Sequence, residues 1–183
     1  MDPGASDEAL YARVKQGDMR AFDELYARHA ARLFGFLRAQ LPTKADAEDV
    51  THEAILAALE SQEVTFDRGS FRTWLYRIAR NRVLNRARSQ GRGRGAMALI
   101  QAGGEEPEAL ADDRLAREEM LRALDGAVSR LPAALSELYH LRSSGLSYEE
   151  MATVLEIPLG TIKSRMNQMV DVLRKELSPW TAR

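Results

Sequence analysis

The chain has 183 residues, of which 45% are hydrophobic, enough for one core of ordinary size or two small ones. Its formal net charge is -1, so any signal for nucleic acid must come from the distribution of charge. It has no cysteine, which excludes disulfide frameworks and thiolate metal sites, and no apolar run approaches the roughly 20 residues of a membrane span. The acidic, polar N-terminus is unlike a signal peptide, and we expect a cytoplasmic protein without membrane insertion.

The apolar periodicity is helical throughout, without the alternation of a half-buried strand, and it predicts an all-α fold. Asp18 can cap a first helix, which ends near Pro42. Thr43, with Asp46 three residues later, resembles a capping box and opens a second helix to about residue 60. Each of these capping residues therefore predicts where a helix begins.

A third helix is predicted over residues 71–88, and the pattern then dissolves into a glycine-rich stretch typical of a flexible linker. Further helices are predicted over 114–130 and 132–143, followed by a final pair. We therefore predict two small helical domains and a linker, with boundaries at 1–90, 91–113 and 114–183.

The final pair of helices is predicted to form a helix-turn-helix. Ser147 and Glu150 form an S-x-x-E capping box, a tight turn at 156–158 follows, and Ile162 begins the apolar stripe of a long second helix, which we extend through Met166, Met169, Val170, Leu173 and Leu177. A recognition helix reads base edges with residues near its N-terminus. The exposed positions there are predicted to be Thr161, Lys163, Ser164, Asn167 and Gln168.

These residue types suit a DNA major groove. Asn167 and Gln168 can pair bidentately with adenine, while Lys163 and Arg165 suit phosphate or guanine. The alternative is an ordinary helical hairpin with a solvated polar face.

The third predicted helix carries an unusual concentration of positive charge. From Arg68 to Gly104 there are nine arginines and no Asp or Glu, which predicts a strong local positive field and a phosphate partner. Asn81 and Asn85, one turn apart, add groups able to bond bases. Its core face is expected to end near residue 79. The alternative is a solvated helix, although such a helix would normally carry acids for pairing along its own turns.

The second predicted helix presents the opposite charge. Asp46, Asp49 and Glu53 repeat at three and four residues, so their carboxylates share one side, which invites a basic protein surface and repels DNA. A solvent-facing acidic helix is the alternative. His52 and Glu53 begin an H-E-x-x-H pattern, but Leu56 stands where the second histidine is needed, so we predict no metal site and no cofactor.

Three strings, in this order, carry a family resemblance: DAEDVTHEAILAAL (46–59), FRTWLYRIARNRVLNRAR (71–88) and LSYEEMATVLEIPLGTIKSRM (146–166). Together they resemble the ECF (extracytoplasmic function) sigma factors of bacterial RNA polymerase, over nearly the whole chain. The resemblance implies a sigma-2 helical bundle that binds core polymerase and the melted -10 element. It also implies a sigma-4 helix-turn-helix that reads duplex -35 DNA.

The resemblance also implies partners and residue roles. The expected partners are the beta prime clamp helices and beta flap of core polymerase, promoter DNA, and an anti-sigma factor. Polymerase binding is implied for Asp46, Asp49, His52 and Glu53, and contact with the -10 strand for Phe66, Arg68, Ser70, Arg77, Arg80, Asn81, Asn85 and Arg88. The -35 set is Thr161, Lys163, Ser164, Arg165, Asn167 and Gln168. The family usually has Gln in place of His52, and His, Phe or Arg in place of Asn167 and Gln168.

The resemblance predicts a promoter-specificity subunit that is not itself an enzyme. The alternative is a stand-alone helix-turn-helix transcriptional regulator, whose first domain would sense a ligand or dimerise. An enzyme on the N-terminal domain is disfavoured because the three histidines, His29, His52 and His140, lie on different predicted helices with no visible nucleophile partner.

Overall fold

The computed structural model describes residues 4–61, 66, 70–89 and 111–181. Within these ranges the chain forms helices and no strand, which confirms the predicted all-α fold. No helix in them has the length and apolarity to cross a membrane. In chain order the helices are α1 (Asp7–Lys15), α2 (Met19–Arg38), α3 (Lys44–Glu60), α4 (Phe71–Ser89), α5 (Ala111–Ser129), α6 (Ala133–Ser143), α7 (Tyr148–Leu155) and α8 (Leu159–Thr181).

The capping residues read from the sequence begin α2, α3 and α7. The Asp18 carboxylate accepts from the N–H groups of Arg20 and Ala21 at the start of α2. The Thr43 hydroxyl accepts from the Asp46 N–H at 3.0 Å at the start of α3. Because each cap satisfies helix N–H groups that have no partner inside the helix, it fixes the first turn.

Helix α1 was not predicted. It has nine residues, and only Leu10 and Tyr11 of them are buried, too few to show a helical period. Its cap is Ser6, whose hydroxyl accepts from the Ala9 N–H at 3.2 Å. The helix also closes the bundle, because the Glu8 carboxylate accepts from the Phe71 N–H at 2.9 Å at the start of α4.

The first four helices pack as a bundle around one face of α4. That face buries Phe71, Leu75, Ala79 and Val83, so it runs one turn past its expected end. Trp74 is half-buried beside this face, and its ring meets the Tyr11 ring edge-on at 5.8 Å, so it packs on the core.

Helices α5 to α8 form the second bundle, in which α8 packs against the other three. The prediction placed the start of α5 at residue 114, but the helix begins at Ala111. Residues 91–110 of the predicted linker lie outside the described ranges. The apolar face of α8 buries Ile162, Met166 and Met169. Val170, predicted on the same stripe, is 43% exposed because it lies about 100° around the helix from Met169.

The two bundles touch along α4 and α7 and along α2 and α6. Their buried side chains form a single apolar cluster that runs from Leu10 to Met169. Beside this contact lies a polar cleft of about 670 Å³, with walls from both bundles that include Asp7, Arg28, Arg72 and Glu150. The two predicted domains are therefore packed against each other, which the sequence did not indicate.

Candidate nucleic-acid interface

Helix α4 presents three polar faces besides its core face. The first is turned toward α3, where Arg82 donates to Glu53 at 2.9 Å and Arg86 donates to Glu53 at 2.8 Å and to Asp46 at 3.4 Å. Residues 68–104 contain no acid, but α3 supplies two across the bundle, Glu53 and Asp46. The acidic side of α3 and part of the arginine tract therefore neutralise each other.

The second polar face of α4 is open to solvent. Arg77, Asn81, Asn85 and Arg88 follow one another at three and four residues and so share one side of the helix. Asn81, Asn85 and Arg88 are exposed, Arg77 is half-buried, and Arg88 donates to the Asn85 side-chain oxygen at 3.2 Å. This face, called here the open face of α4, brings together four of the eight residues predicted to contact the -10 strand.

The third polar face of α4 is turned toward the second bundle. Two more of the predicted -10 residues contact the second bundle there. The Arg80 guanidinium donates to Glu137 of α6 at 2.8 Å, and the Ser70 hydroxyl donates to Glu150 of α7 at 3.3 Å. Ser70 also caps α4, because its hydroxyl accepts from the Thr73 N–H. The structure thus separates Arg80 and Ser70 from the open face.

The remaining two predicted -10 residues lie before α4. Phe66 is half-buried, and its ring packs edge-on against Tyr11 at 5.6 Å and against Trp74 at 6.1 Å. Arg68 lies outside the described residues.

The residues predicted to bind polymerase all lie on α3, but they differ in their surroundings. Asp46 and Glu53 are held by the α4 arginines. Asp49 is exposed, and none of the ion pairs among the described residues involves it. His52 is exposed too, and its ring stacks on Tyr26, whose hydroxyl lies 3.1 Å from His52 Nε2.

Helices α7 and α8 form the predicted helix-turn-helix. The Ser147 hydroxyl accepts from the Glu150 N–H, and the Glu150 carboxylate accepts from the Ser147 N–H, so both halves of the capping box are present. The turn depends on Glu156, which adopts left-handed φ 57 and donates its N–H to Ala152. Pro158 follows, and its carbonyl accepts from the Thr161 and Ile162 N–H groups, starting α8.

The first two turns of α8 expose the predicted reading face. Lys163, Ser164, Asn167 and Gln168 are exposed, whereas Thr161 and Arg165 are half-buried at its edges. The face ends at Asp171, whose carboxylate is paired with Arg174 at 3.1 Å. The side chains on this face can donate to and accept from base edges, and they stand on a helix whose opposite side is anchored by Ile162 and Met166.

Two carboxylates and one histidine of the second bundle have roles that the sequence did not indicate. Burial raises the pKa of the Glu150 carboxyl, but its hydrogen bonds to Arg72 and Ser147 outweigh burial and hold the pKa below its usual value. Glu137 is buried against Arg80. Burial lowers the pKa of His140 to about 4, so this ring is neutral at pH 7. No local pattern in the sequence marks the ion pairs, because their partners are 78 and 57 residues apart.

Comparison with known families places two regions on this chain. Residues 25–93 match the family Sigma-70 region 2, and residues 121–168 match the family Sigma-70, region 4. The first match covers α4 and α3, and the second covers the helix-turn-helix through the reading face of α8. The described residues are helical, and two such regions in this order define a sigma factor of the sigma-70 type.

Relatives that match nearly the whole chain identify the group of sigma factors to which it belongs. The ECF RNA polymerase sigma-E factor of Haemophilus influenzae is 32% identical over 183 residues, covering 95% of this chain and 96% of the relative. The RNA polymerase sigma-H factor of Pseudomonas aeruginosa is 33% identical over 183 residues and 94% of both chains. The chain belongs to the ECF sigma factors of bacterial RNA polymerase, as the resemblance predicted. These matches do not support the alternative of a stand-alone regulator.

Two solved structures share the fold of this chain. CnrH, determined in complex with the cytosolic domain of CnrY, superposes with a TM-score of 0.68 at 25% identity, covering 96% of this chain and 99% of that chain. The sigma factor RpoE of Bartonella quintana, in complex with the anti-sigma factor NepR, shares the fold with a TM-score of 0.66 at 22% identity, over 86% of this chain and 96% of that chain.

Proposed function

We propose that this sigma factor directs core RNA polymerase to specific promoters through three surfaces of its own chain. The observation that carries the proposal is the order of the two sigma-70 regions on one chain, each of which includes an exposed polar helix face. Residues 1–90 act as the sigma-2 domain, the residues from 91 to the start of α5 as a linker, and the second bundle, α5 to α8, as the sigma-4 domain. The polymerase supplies the chemistry, and the protein acts in the cytoplasm.

The reading face of α8 contacts the -35 element. Its N-terminal position matches the way that a recognition helix enters a major groove. Asn167 and Gln168 read base edges, while Lys163 and Arg165 bind phosphate or guanine. Thr161 and Ser164 complete the contact as hydrogen-bonding groups at the groove edge.

The open face of α4 follows the melted -10 strand. Arg77 and Arg88 contact phosphates, and Asn81 and Asn85 bond exposed bases. Phe66, Arg68 and Ser70 belong to the segment that receives a flipped base. Capture of that base offsets an unstacking cost of roughly a few kcal/mol, so strand opening needs no catalytic group in this chain.

The α3 surface binds the beta prime clamp helices, and the second domain binds the beta flap. Asp49 supplies the exposed charge of the α3 surface, with His52 beside it, while Asp46 and Glu53 contribute to the same field and hold α4 in place. We also propose an anti-sigma partner, because the two solved relatives described above were each determined in complex with another protein, in one case a named anti-sigma factor.

Transcription by purified core polymerase, with and without this chain, on a library of promoter fragments tests the proposal. New start sites that depend on the chain are the expected result. The matched variant is Asn167→Ala, which should change which fragments are used while polymerase binding stays intact. If the chain forms no complex with core polymerase and directs no new start, the proposed function is wrong.

A further inference from the structure

The two bundles are joined by a regular row of contacts along α4. Arg72, Tyr76 and Arg80 stand four residues apart, so they lie one above another on a single side of the helix. Tyr76 at the centre is 1% exposed and packs on Phe36 with ring centroids 5.3 Å apart. The two arginines flank it and reach the second bundle, where they meet Glu150 and Glu137 respectively.

The first ion pair uses a carboxylate that is already part of the helix-turn-helix. Glu150 closes the capping box of α7 with Ser147. Its two oxygens also accept from Arg72 Nη2 at 2.6 Å and 2.8 Å, and Oε1 accepts from Arg72 Nε at 3.1 Å. Ser70, in the segment proposed to receive a flipped base, donates to the same carboxylate. One side chain therefore connects the start of α7 with the start of α4.

The second ion pair is more deeply buried than the first. The Arg80 side chain is 19% exposed and its partner Glu137 is 8% exposed, with 2.8 Å between Nε and Oε1. A buried charge without its partner is costly, so the pair favours the packed arrangement of the bundles over one in which either group is buried alone. In this arrangement Arg80 cannot contact phosphate at the same time.

With the bundles packed together, the protein is too short to contact both promoter elements, if the proposed function holds. The numbering of the -10 and -35 elements places them about 25 base pairs apart, which is about 85 Å of B-DNA. A compact globule of 183 residues has a radius of gyration of about 16 Å. With α4 in contact with α7, the open face of α4 and the reading face of α8 cannot engage both elements together.

We propose that the Arg72–Glu150 and Arg80–Glu137 pairs form an intramolecular latch that holds the chain closed in the absence of polymerase. Opening the latch separates the bundles, frees Arg80 and Ser70 for the -10 strand, and allows the two DNA-reading faces to reach their elements. The contact that it breaks is polar at both ends and borders an open cleft, which suits a reversible interface.

The absence of cysteine makes the latch directly measurable. Ala12→Cys on α1 and Lys175→Cys on α8 introduce two exposed labelling sites, one in each bundle and away from the α4 contacts. Single-molecule energy transfer between dyes on these positions reports the separation of the bundles in the free chain. We expect a dominant high-transfer population that loses occupancy as ionic strength rises.

The test variant is Glu137→Gln with Glu150→Gln in the labelled chain. Gln at position 150 keeps the capping box, since Gln serves as well as Glu in that motif, but it removes the charge that Arg72 binds. We expect the ratio of open to closed molecules to rise about tenfold or more, with circular dichroism unchanged. The matched control is Glu176→Gln, which removes the 2.6 Å pair with Arg130 inside the second bundle and should leave the ratio unchanged.

A second variant guards against a local effect on α7. Arg72→Gln removes the first pair from the α4 side without touching the cap, and it should shift the same population in the same direction. A wild-type chain that is already open, or latch variants that stay as closed as the Glu176→Gln control, would overturn the latch. Because the measurement uses neither polymerase nor DNA, failure of the latch is distinct from failure of the proposed function.

Discussion

The acidic side of α3 offers a prediction that separates folding from polymerase binding. Glu53 accepts from Arg82 and Arg86, whereas Asp49 lies one turn away and is exposed outside these ion pairs. The change to neutral side chains, Glu53→Gln and Asp49→Asn, removes the same charge from the same helix face. The two variants therefore differ in which contacts they lose within the protein.

The structure sets the size of the difference. The Glu53 side chain is 41% exposed, and its partners are 36% and 29% exposed, so each of the two ion pairs contributes roughly 0.2–1 kcal/mol. Their loss should cost about 1 kcal/mol in total and lower Tm by about 2–4 °C for a chain of this length. Asp49→Asn should change the free energy of unfolding by less than about 0.5 kcal/mol.

Polymerase binding is tested with a third variant, Asp49→Lys. Asp49→Lys reverses an exposed charge on the proposed polymerase surface, and we expect association to slow by about tenfold at low salt, with the difference shrinking at high salt. Thermal unfolding by circular dichroism and association kinetics with immobilised core polymerase measure the two effects. Equal Tm losses for Glu53→Gln and Asp49→Asn, or normal association of Asp49→Lys, would refute the reasoning.

Three further outcomes are expected. Lys163→Ala should weaken binding to all -35 duplexes alike and reduce the slope of log K against log salt by about 0.9. Asn167→Ala should instead reduce the preference at one base pair by about 1–3 kcal/mol. Anisotropy titrations on a series of duplexes measure both effects. The pKa of His140 is about 4 in the folded chain and about 6.5 in the unfolded chain, so the unfolded chain binds the proton first as pH falls. The free energy of unfolding should therefore decrease between pH 6.5 and 4, by about 2 kcal/mol at pH 5. Urea titrations of His140→Phe should show no such decrease. Ile162→Ala, at a position with no exposure, should cost about 2–5 kcal/mol in the same titrations, and a loss below 1 kcal/mol would mean that α8 is not anchored there.

Much of the local structure could be read from the sequence because its signals are short-range. Asp18, Thr43 and Ser147 each begin the helix that they were predicted to begin. Their side chains bond N–H groups two or three residues ahead, so the cap is written within four positions of sequence. The helix-turn-helix followed from the same kind of signal, together with the apolar period of α8.

The contacts between elements could not be predicted in this way. Arg80 and Glu137 are 57 residues apart in sequence, and Arg72 and Glu150 are 78 apart, so no local pattern connects them. These contacts depend on how the two bundles pack, and the charges along one helix carry no information about that packing. For the same reason the absence of acids within α4 did not reveal that α3 supplies them.

These ion pairs determine which arginines of α4 are available to bind phosphate. Arg72, Arg80, Arg82 and Arg86 are engaged with carboxylates, whereas Arg77 and Arg88 stand on the open face of α4. Because each phosphate contact contributes about -0.7 to the slope of log K against log salt for single strands, an unlatched chain that gains two contacts should show a slope steeper by about 1.4. The chain carrying Glu137→Gln and Glu150→Gln, titrated with a fluorescent single-stranded oligonucleotide beside the Glu176→Gln control, measures this difference. Equal slopes would mean that Arg72 and Arg80 reach no phosphate even when their carboxylates are neutralised, and the role of the third polar face of α4 would then be structural alone.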